Sequence, residues 1–448
     1  MKQTLSALLA VLVLVITLAL PAAAEEMDLS PPELSCAAYY VVNLDTGLVV
    51  CEKNSEQTME AASLTKLMTM ILMLKYYQDQ LDTITVTAPG YIYDILYGKN
   101  GSTADIRKGE THTLRSLMYA MEVQSGNEAA YIVADYMGAG DVDAFVAMMN
   151  EEAAALGCTG TSFTDPCGLD PGNVTTARDA YLMLRAALAY DAYAECARAT
   201  TYEMPAAAKH STPYNLISTV KIIDPASKDY YRGYCVGGKT GSLMDWQNFA
   251  GMHVQDGISY ISVVLHSPLT VSNRPALTET GTLMDWVLDT YTVAPVLDVT
   301  QPITELPVIY CAETDTIMVY PADTLTTLLP KEGGAITEKI FRVPDRLTAP
   351  VHTGDVVGLV SLTIDGEVIG TTELLAGSEA KRSQLLYTID RVKEFFRSTY
   401  FKVLVILLMI VAGVYLFLLT LVILGVPQKV QNNRRRNQRP GGADRKEK

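Results

Sequence analysis

The chain has 448 residues, 49% of them hydrophobic, and its 50 acidic against 35 basic side chains leave a formal net charge of −15. Such a balance argues against nucleic acid or an anionic lipid surface as a partner and suits a soluble, self-repelling domain. The length is also enough to bury a large core without disulfide or metal staples.

Lys2, an apolar run from Leu5 to Leu20, and then Pro21 with Ala22-Ala23-Ala24 read as a secretory signal over residues 1–24, with the mature start near Glu25. An uncleaved anchor is the alternative, against which the run is short. Ala37 to Leu44 and Leu48 to Cys51 are apolar, β-branched and aromatic around Asp45-Thr46-Gly47, the pattern of a hairpin. Ser63 then opens a helix carrying Leu64, Leu67, Met68, Met70, Ile71 and Leu74 and ending near Asp79. Helical spacing also predicts helices over Thr113–Met137 and Val142–Leu156. A second hairpin is predicted from Phe249–Val254 and Ile258–His266 across Gln255-Asp256-Gly257, with a closing helix at Leu283–Tyr291. Residues 25–294 thus form an α+β domain, an antiparallel sheet with helices.

From Pro295 the texture changes to short strand-like runs, Thr316–Tyr320, Lys339–Val343, Val356–Ile364 and Val368–Leu375, which predict a small all-β domain over 295–378. Leu385, Ile389, Val392 and Phe396 then fall on one face of an amphipathic helix within 379–402. Val403 to Val426 has no charged residue and is long enough to cross a hydrocarbon core as a transmembrane helix. The basic tail over 427–448, including Arg434-Arg435-Arg436, marks the cytoplasmic side. Export at one end and inside-facing charge at the other predict a single-pass membrane protein with its folded domains outside.

Seven cysteines in an exported chain raise the question of disulfides, and the odd number leaves at least one unpaired. Cys158 and Cys167 are near enough to bridge a loop, but small buried hydrophobes are an equal reading. Their spacings fit no metal site, and nothing in the sequence calls for a cofactor.

Three strings carry chemistry: Ser63-Leu64-Thr65-Lys66, Ser125-Gly126-Asn127 and Lys239-Thr240-Gly241. Ser-x-x-Lys alone is weak, because Ser218-Thr219-Val220-Lys221 and Ser378-Glu379-Ala380-Lys381 also match. Only the copy at Ser63 is followed by the other two strings in order. A serine needs a base within reach, and positions i and i+3 of a helix share a face, which assigns Ser63 as nucleophile and Lys66 as its base. Burial and the second cation, Lys239, would lower the Lys66 pKa. The helix start aims backbone N–H groups at the carbonyl where charge develops, the Ser63 N–H among them. Ser125 suits proton relay and Asn127 suits holding either the substrate backbone or the lysine. Lys239 and Thr240 on a strand edge suit a terminal carboxylate, with Gly241 allowing close approach. Gly233 to Thr240 also matches the phosphate-loop pattern letter for letter, but no apolar strand precedes it and no helix follows.

With these motifs in view the chain resembles the serine-type D-alanyl-D-alanine carboxypeptidases, the low-molecular-mass penicillin-binding proteins of peptidase family S11. The resemblance extends to Ala61–Thr69, Lys108–Thr113, Gly168-Leu169-Asp170 and, in the β-domain, Thr353–Gly358. It implies a penicillin-binding, β-lactamase-like transpeptidase fold, peptidoglycan stem peptides as substrate and β-lactams as covalent inhibitors. It further implies that Ser63 forms an acyl-enzyme, Lys66 accepts its proton, Ser125 relays one, Lys239 anchors the substrate carboxylate and the Ser242 N–H is a second oxyanion donor. Ser242 itself stands where a histidine or larger residue is expected, and a full span follows the usual terminal amphipathic helix. The Glu-x-x-Leu-Asn string of a deacylating β-lactamase is missing. A catalytically weak, membrane-held sensor of β-lactam or cell wall is the alternative function.

Overall fold

The computed structural model describes residues 29–270, 274–331, 337–364 and 366–436. The leader at 1–24 lies outside them, as does the tail beyond Arg436. The chain divides into two compact units, Met1–Val296 with Thr326–Ile336, and Leu297–Leu325 with Thr337–Lys448.

The first unit is built on a five-stranded antiparallel sheet of β1 (Ala38–Asn43), β2 (Val49–Lys53), β3 (Cys235–Ser242), β4 (Trp246–Gln255) and β5 (Ile258–Pro268), in the order β2-β1-β5-β4-β3. Every residue of β1 is buried, which is why it reads as an almost unbroken apolar run rather than an alternating one. Its side chains divide by period 2: Ala38, Tyr40 and Val42 enter one core, Tyr39 and Val41 the other. Most of the helical part of the first core comes from α1 (Thr65–Tyr77), α2 (Leu114–Glu122), α3 (Asn127–Met137), α4 (Val142–Ala155) and α5 (Ala177–Leu188). The short α6 (Asp191–Ala197) adds Tyr193 and Cys196 to it. The second core is closed by α7 (Pro275–Thr290). Helix α1 is buried all round from Thr65 to Leu74, so its Leu, Met and Ile side chains need no polar face. Burying each contributes about 1.5–3 kcal/mol.

Two elements differ from the sequence-based expectation. The stretch Thr113–Met137, helical in its spacing and with no break marked, is two helices separated at 123–126. The break is tertiary: the Val123 carbonyl accepts from Thr219 N–H, the Gly126 N–H returns to Ala120 O, and Ser125 takes φ = +59°. The closing helix begins at Pro275 rather than Leu283, because a proline at the first helical position loses no hydrogen bond and Ala276 and Leu277 are drawn into the core.

The second unit is a six-stranded sheet of β6 (Thr304–Ile309), β7 (Thr316–Pro321), β8 (Thr337–Arg342), β9 (Leu347–Thr348), β10 (Val356–Ile364) and β11 (Glu367–Ala376), in the order β8-β10-β11-β7-β6-β9. Leu306, Val308, Ile317, Val319, Val360 and Leu374 form its core. Helix α8 (Gln384–Arg397) is capped by the Ser383 hydroxyl, and the Tyr310 hydroxyl donates to Asp390 Oδ2 on it at 2.6 Å. Leu385, Ile389, Val392 and Phe396 all lie exposed along it. Helix α9 (Thr399–Arg436) follows, and its 26 residues Thr399–Leu424 are apolar and long enough, at about 39 Å, to cross a membrane.

Candidate active site

Ser63 sits in a 3₁₀ turn, Ala62–Leu64, that leads directly into α1. Its hydroxyl caps no helix; it points to a lysine. Ala62, just before it, is held at φ = +48°, a conformation that a non-glycine residue keeps only when its surroundings enforce it. The enforcement is visible. Asn248 on β4 donates from Nδ2 to the carbonyls of Glu60 (2.9 Å) and Ala61 (3.2 Å), while its own Oδ1 accepts from His266 N–H (2.8 Å). From the other side Gly241 on β3 lies so close that an added Cβ would stand 3.0 Å from Ala61 O. The close approach that Gly241 permits is therefore to the turn carrying the serine.

Lys66 occupies the first turn of α1 and is fully buried. Its Nζ reaches Ser63 Oγ at 2.9 Å, Asn127 Oδ1 at 2.7 Å and Cys167 O at 2.8 Å. Two of those partners are acceptors only and must receive N–H groups. The third direction faces the one partner that also has a proton to give, so in the neutral amine the single lone pair is aimed at the Ser63 hydroxyl. Burial pushes the Lys66 pKa down, while Cys167, Asp165 and Glu128 pull it up.

Lys239 on β3 is equally buried and donates to Ser125 Oγ at 3.0 Å and to Thr240 O at 2.9 Å. Burial lowers its pKa and Lys66 adds to that, with Glu122 acting in the opposite sense. The Thr240 hydroxyl pairs with that of Thr219 at 2.7 Å. Ser-x-Asn thus spans both lysines: Ser125 serves Lys239 and Asn127 serves Lys66. The left-handed Ser125 is what turns the two side chains to different partners.

Ser63, Asn127 and Ser242 line a cleft of about 650 Å³ together with Asn100, Gly101, Ser102, Gly168, Leu169, Leu243 and Met244. Ser63 is half-buried and Ser242 exposed, so both face solvent there. Lys66, Ser125, Lys239 and Thr240 are buried and are not among its walls.

Several residues that sequence reasoning passed over hold this arrangement. Asp165 accepts four backbone N–H groups, those of Cys167 and Gly168 on Oδ1 and of Leu169 and Asp170 on Oδ2, and so shapes the loop whose Cys167 carbonyl meets Lys66. Glu128 accepts from Thr103 Oγ1 and the N–H of Ala104 and Ile106, fixing the strip beside Asn100–Ser102. All seven cysteines are free and buried, so the Cys158–Cys167 pairing is not made. The phosphate-loop match lies on strand β3, followed by β4 rather than a helix. Ser218, in the rival Ser-x-x-Lys, accepts from Val220 N–H in a turn and makes no lysine contact among the described bonds.

Gly168 has φ = +86°, and a Cβ there would lie 1.8 Å from Ala62 O. Gly168→Ala is therefore expected to cost about 1–3 kcal/mol from backbone strain alone, and to displace the Ser63 turn. Thermal unfolding and penicillin acylation rate check this; wild-type values for both would contradict it.

A family profile described as D-alanyl-D-alanine carboxypeptidase matches residues 25–268, and one described as penicillin-binding protein 5, C-terminal domain, matches residues 295–382. The chain is 25% identical to the D-alanyl-D-alanine carboxypeptidase DacF of Bacillus subtilis, covering 87% of this chain and 98% of that protein. It is 26% identical to DacC of Escherichia coli over 79% of this chain and 86% of the other. Among solved structures, penicillin-binding protein 5 from Haemophilus influenzae superposes with a TM-score of 0.57 at 22% identity, over 79% of this chain and 99% of that one, and bears out the α+β fold with its all-β companion.

Proposed function

The chain belongs to the D-alanyl-D-alanine carboxypeptidase family of serine peptidases, and from that premise we propose that Ser63 is its acylated nucleophile and that the chain trims stem peptides during cell-wall maturation. Family membership carries penicillin binding and a peptidoglycan peptide as substrate. What supports the assignment to Ser63 most is the Lys66 geometry, an amine whose two fixed acceptors leave one lone pair for one hydroxyl.

Ser63 Oγ attacks the carbonyl carbon of the penultimate D-alanine while Lys66 takes the hydroxyl proton. The oxyanion is met by the N–H groups of Ser63 and Ser242, both at the cleft. Collapse breaks the C–N bond, and the departing amine of D-alanine receives, by way of the Ser125 hydroxyl, the proton that Lys66 took from Ser63, which leaves Lys66 neutral again. Because Lys239 already donates to Ser125 Oγ, that hydroxyl is free to direct its own proton elsewhere. Lys239 acts on the terminal carboxylate as a buried positive charge with Thr240 and Gly241 at the strand edge, and Asn127 holds Lys66. Water then hydrolyses the ester. The α9 helix is compatible with membrane anchoring; we assign it as a single span with the peptidase outside and the basic tail in the cytoplasm.

The full chain in detergent micelles, given a pentapeptide ending in D-Ala-D-Ala, is expected to release one equivalent of D-alanine per peptide. The rate should climb with pH as Lys66 loses its proton, beginning below the range of a solvated lysine because burial lowers that pKa. Acylation by penicillin without D-alanine release would favour the sensor over the peptidase.

A further inference from the structure

Glu122 is the last residue of α2, three positions before Ser125, and is 2% exposed. Neither carboxylate oxygen meets full hydrogen-bond geometry with a described donor; burial pushes the Glu122 pKa up, and the hydroxyl of the fully buried Tyr193, facing it as a weak donor, pulls it down. A buried carboxyl so weakly paired is costly and calls for a compensating charge. The packing around it supplies one. Helix α6 packs against both α2 and β3, which brings Tyr193 and Cys196 of α6 and Lys239 of β3 near enough to Glu122 for their charges to bear on one another.

Lys239 has the matching deficit. Its Nζ carries three donors as an ammonium, and the described hydrogen bonds engage two, Ser125 Oγ and Thr240 O. Lys66 is a second buried amine bearing on it with the same sign. Two buried lysines in one site drive each other neutral, yet the proposed reaction requires Lys66 neutral and Lys239 charged. Something must break the symmetry, and Glu122 bears on Lys239 while the carboxylates bearing on Lys66 are Asp165 and Glu128. Asp165 is engaged by four backbone N–H groups and Glu128 by two and a hydroxyl. Glu122 has no described backbone donor and only the Tyr193 hydroxyl beside it, so its charge is far less spread.

We propose that Glu122 is a positioning residue, a buried counter-charge that keeps Lys239 protonated so that it can hold Ser125 and attract the carboxylate of peptide or β-lactam. The proposal rests on the reading of Ser63, Lys66 and Lys239 given above. Nothing at the level of a motif marks Glu122, which touches neither the cleft nor Ser63.

The test is the pH profile of acylation by a fluorescent penicillin, and of D-alanine release, for the full chain in micelles and for Glu122→Gln and Glu122→Asp. Removing the negative charge lowers the Lys239 pKa, so Lys239 loses its proton at lower pH. The alkaline limb of Glu122→Gln should move down by about one pH unit, with KM at pH 8.5 rising about tenfold and kcat changing less, while Glu122→Asp keeps the wild-type limb. Should Glu122→Gln show no unfolding transition, NMR titration of ¹³C-labelled lysine in the wild type decides: Lys239 must deprotonate at higher pH than Lys66. Superimposable profiles, a limb shifted equally by Glu122→Asp, or the reverse order of titration overturns the proposal. If penicillin acylates the wild type without D-alanine release, the peptidase reading fails while the acylation limb still decides the role of Glu122.

Discussion

Ser63→Ala is expected to abolish covalent labelling by penicillin and to lower D-alanine release by about 10⁴-fold or more, the scale seen when a covalent nucleophile is removed. Fold and stability should survive. The Ser63 hydroxyl has one described hydrogen bond, to Lys66, which keeps Asn127 Oδ1 and Cys167 O after the change. Losing one such bond costs about 1 kcal/mol, and Ser63 is half-buried at the cleft rather than packed in the core. Activity and unfolding temperature should therefore separate. A variant that still releases D-alanine at a tenth of the wild-type rate would place the nucleophile elsewhere.

Lys66→Arg is expected to be nearly as damaging, about 10³-fold in acylation, although it keeps a positive charge and donors at the same position. An arginine cannot shed its proton in a protein, so it cannot act as general base. The pH response discriminates this from simple misplacement. Wild-type acylation is expected to rise with pH as Lys66 becomes neutral, because burial lowers the pKa of that amine. Lys66→Arg should lose this rise and keep only the alkaline fall that loss of the Lys239 proton imposes. The larger guanidinium must also fit a site of zero exposure, so unfolding should be followed in parallel. A variant that recovers toward wild-type rates at high pH would show that the lysine serves only as a fixed cation.

Much of this site was legible because its chemistry is local in sequence. Ser63 and Lys66 lie within one helical turn, Ser125 and Asn127 within three residues, and Lys239 to Ser242 along one strand, so short strings capture them. Strands β1, β4 and β5 were legible from apolar runs and the turn residues between them, and the β-domain from its punctuated short runs. The break at Ser125 was not, since Val-Gln-Ser-Gly contains only one breaker and the carbonyl of Val123 is diverted by Thr219, nearly a hundred residues away. Asp165, Glu128, Asn248 and Glu122 escaped for the same reason: each is an ordinary polar residue whose partners are set by the tertiary fold. Lys239 was expected as a carboxylate anchor on a strand edge. It is on that edge, but its ammonium is turned inward to Ser125, which makes its protonation state rather than its exposure the quantity that matters.

Gly168 and Gly241 illustrate how the fold constrains the chemistry. Both press on the two residues before Ser63, one from the loop ordered by Asp165 and one from β3. With Asn248 they fix a turn containing a left-handed alanine, and that turn sets where the hydroxyl stands relative to Lys66.

The most direct measurement is mass spectrometry of the full chain after brief exposure to benzylpenicillin, followed by proteolysis and sequencing of the modified peptide. One penicilloyl group per chain is expected, carried on Ser63 in the peptide spanning Ala61–Lys66, and none on Ser63→Ala. An adduct on Ser125, Ser218 or Ser242, or labelling that persists in Ser63→Ala, would contradict it.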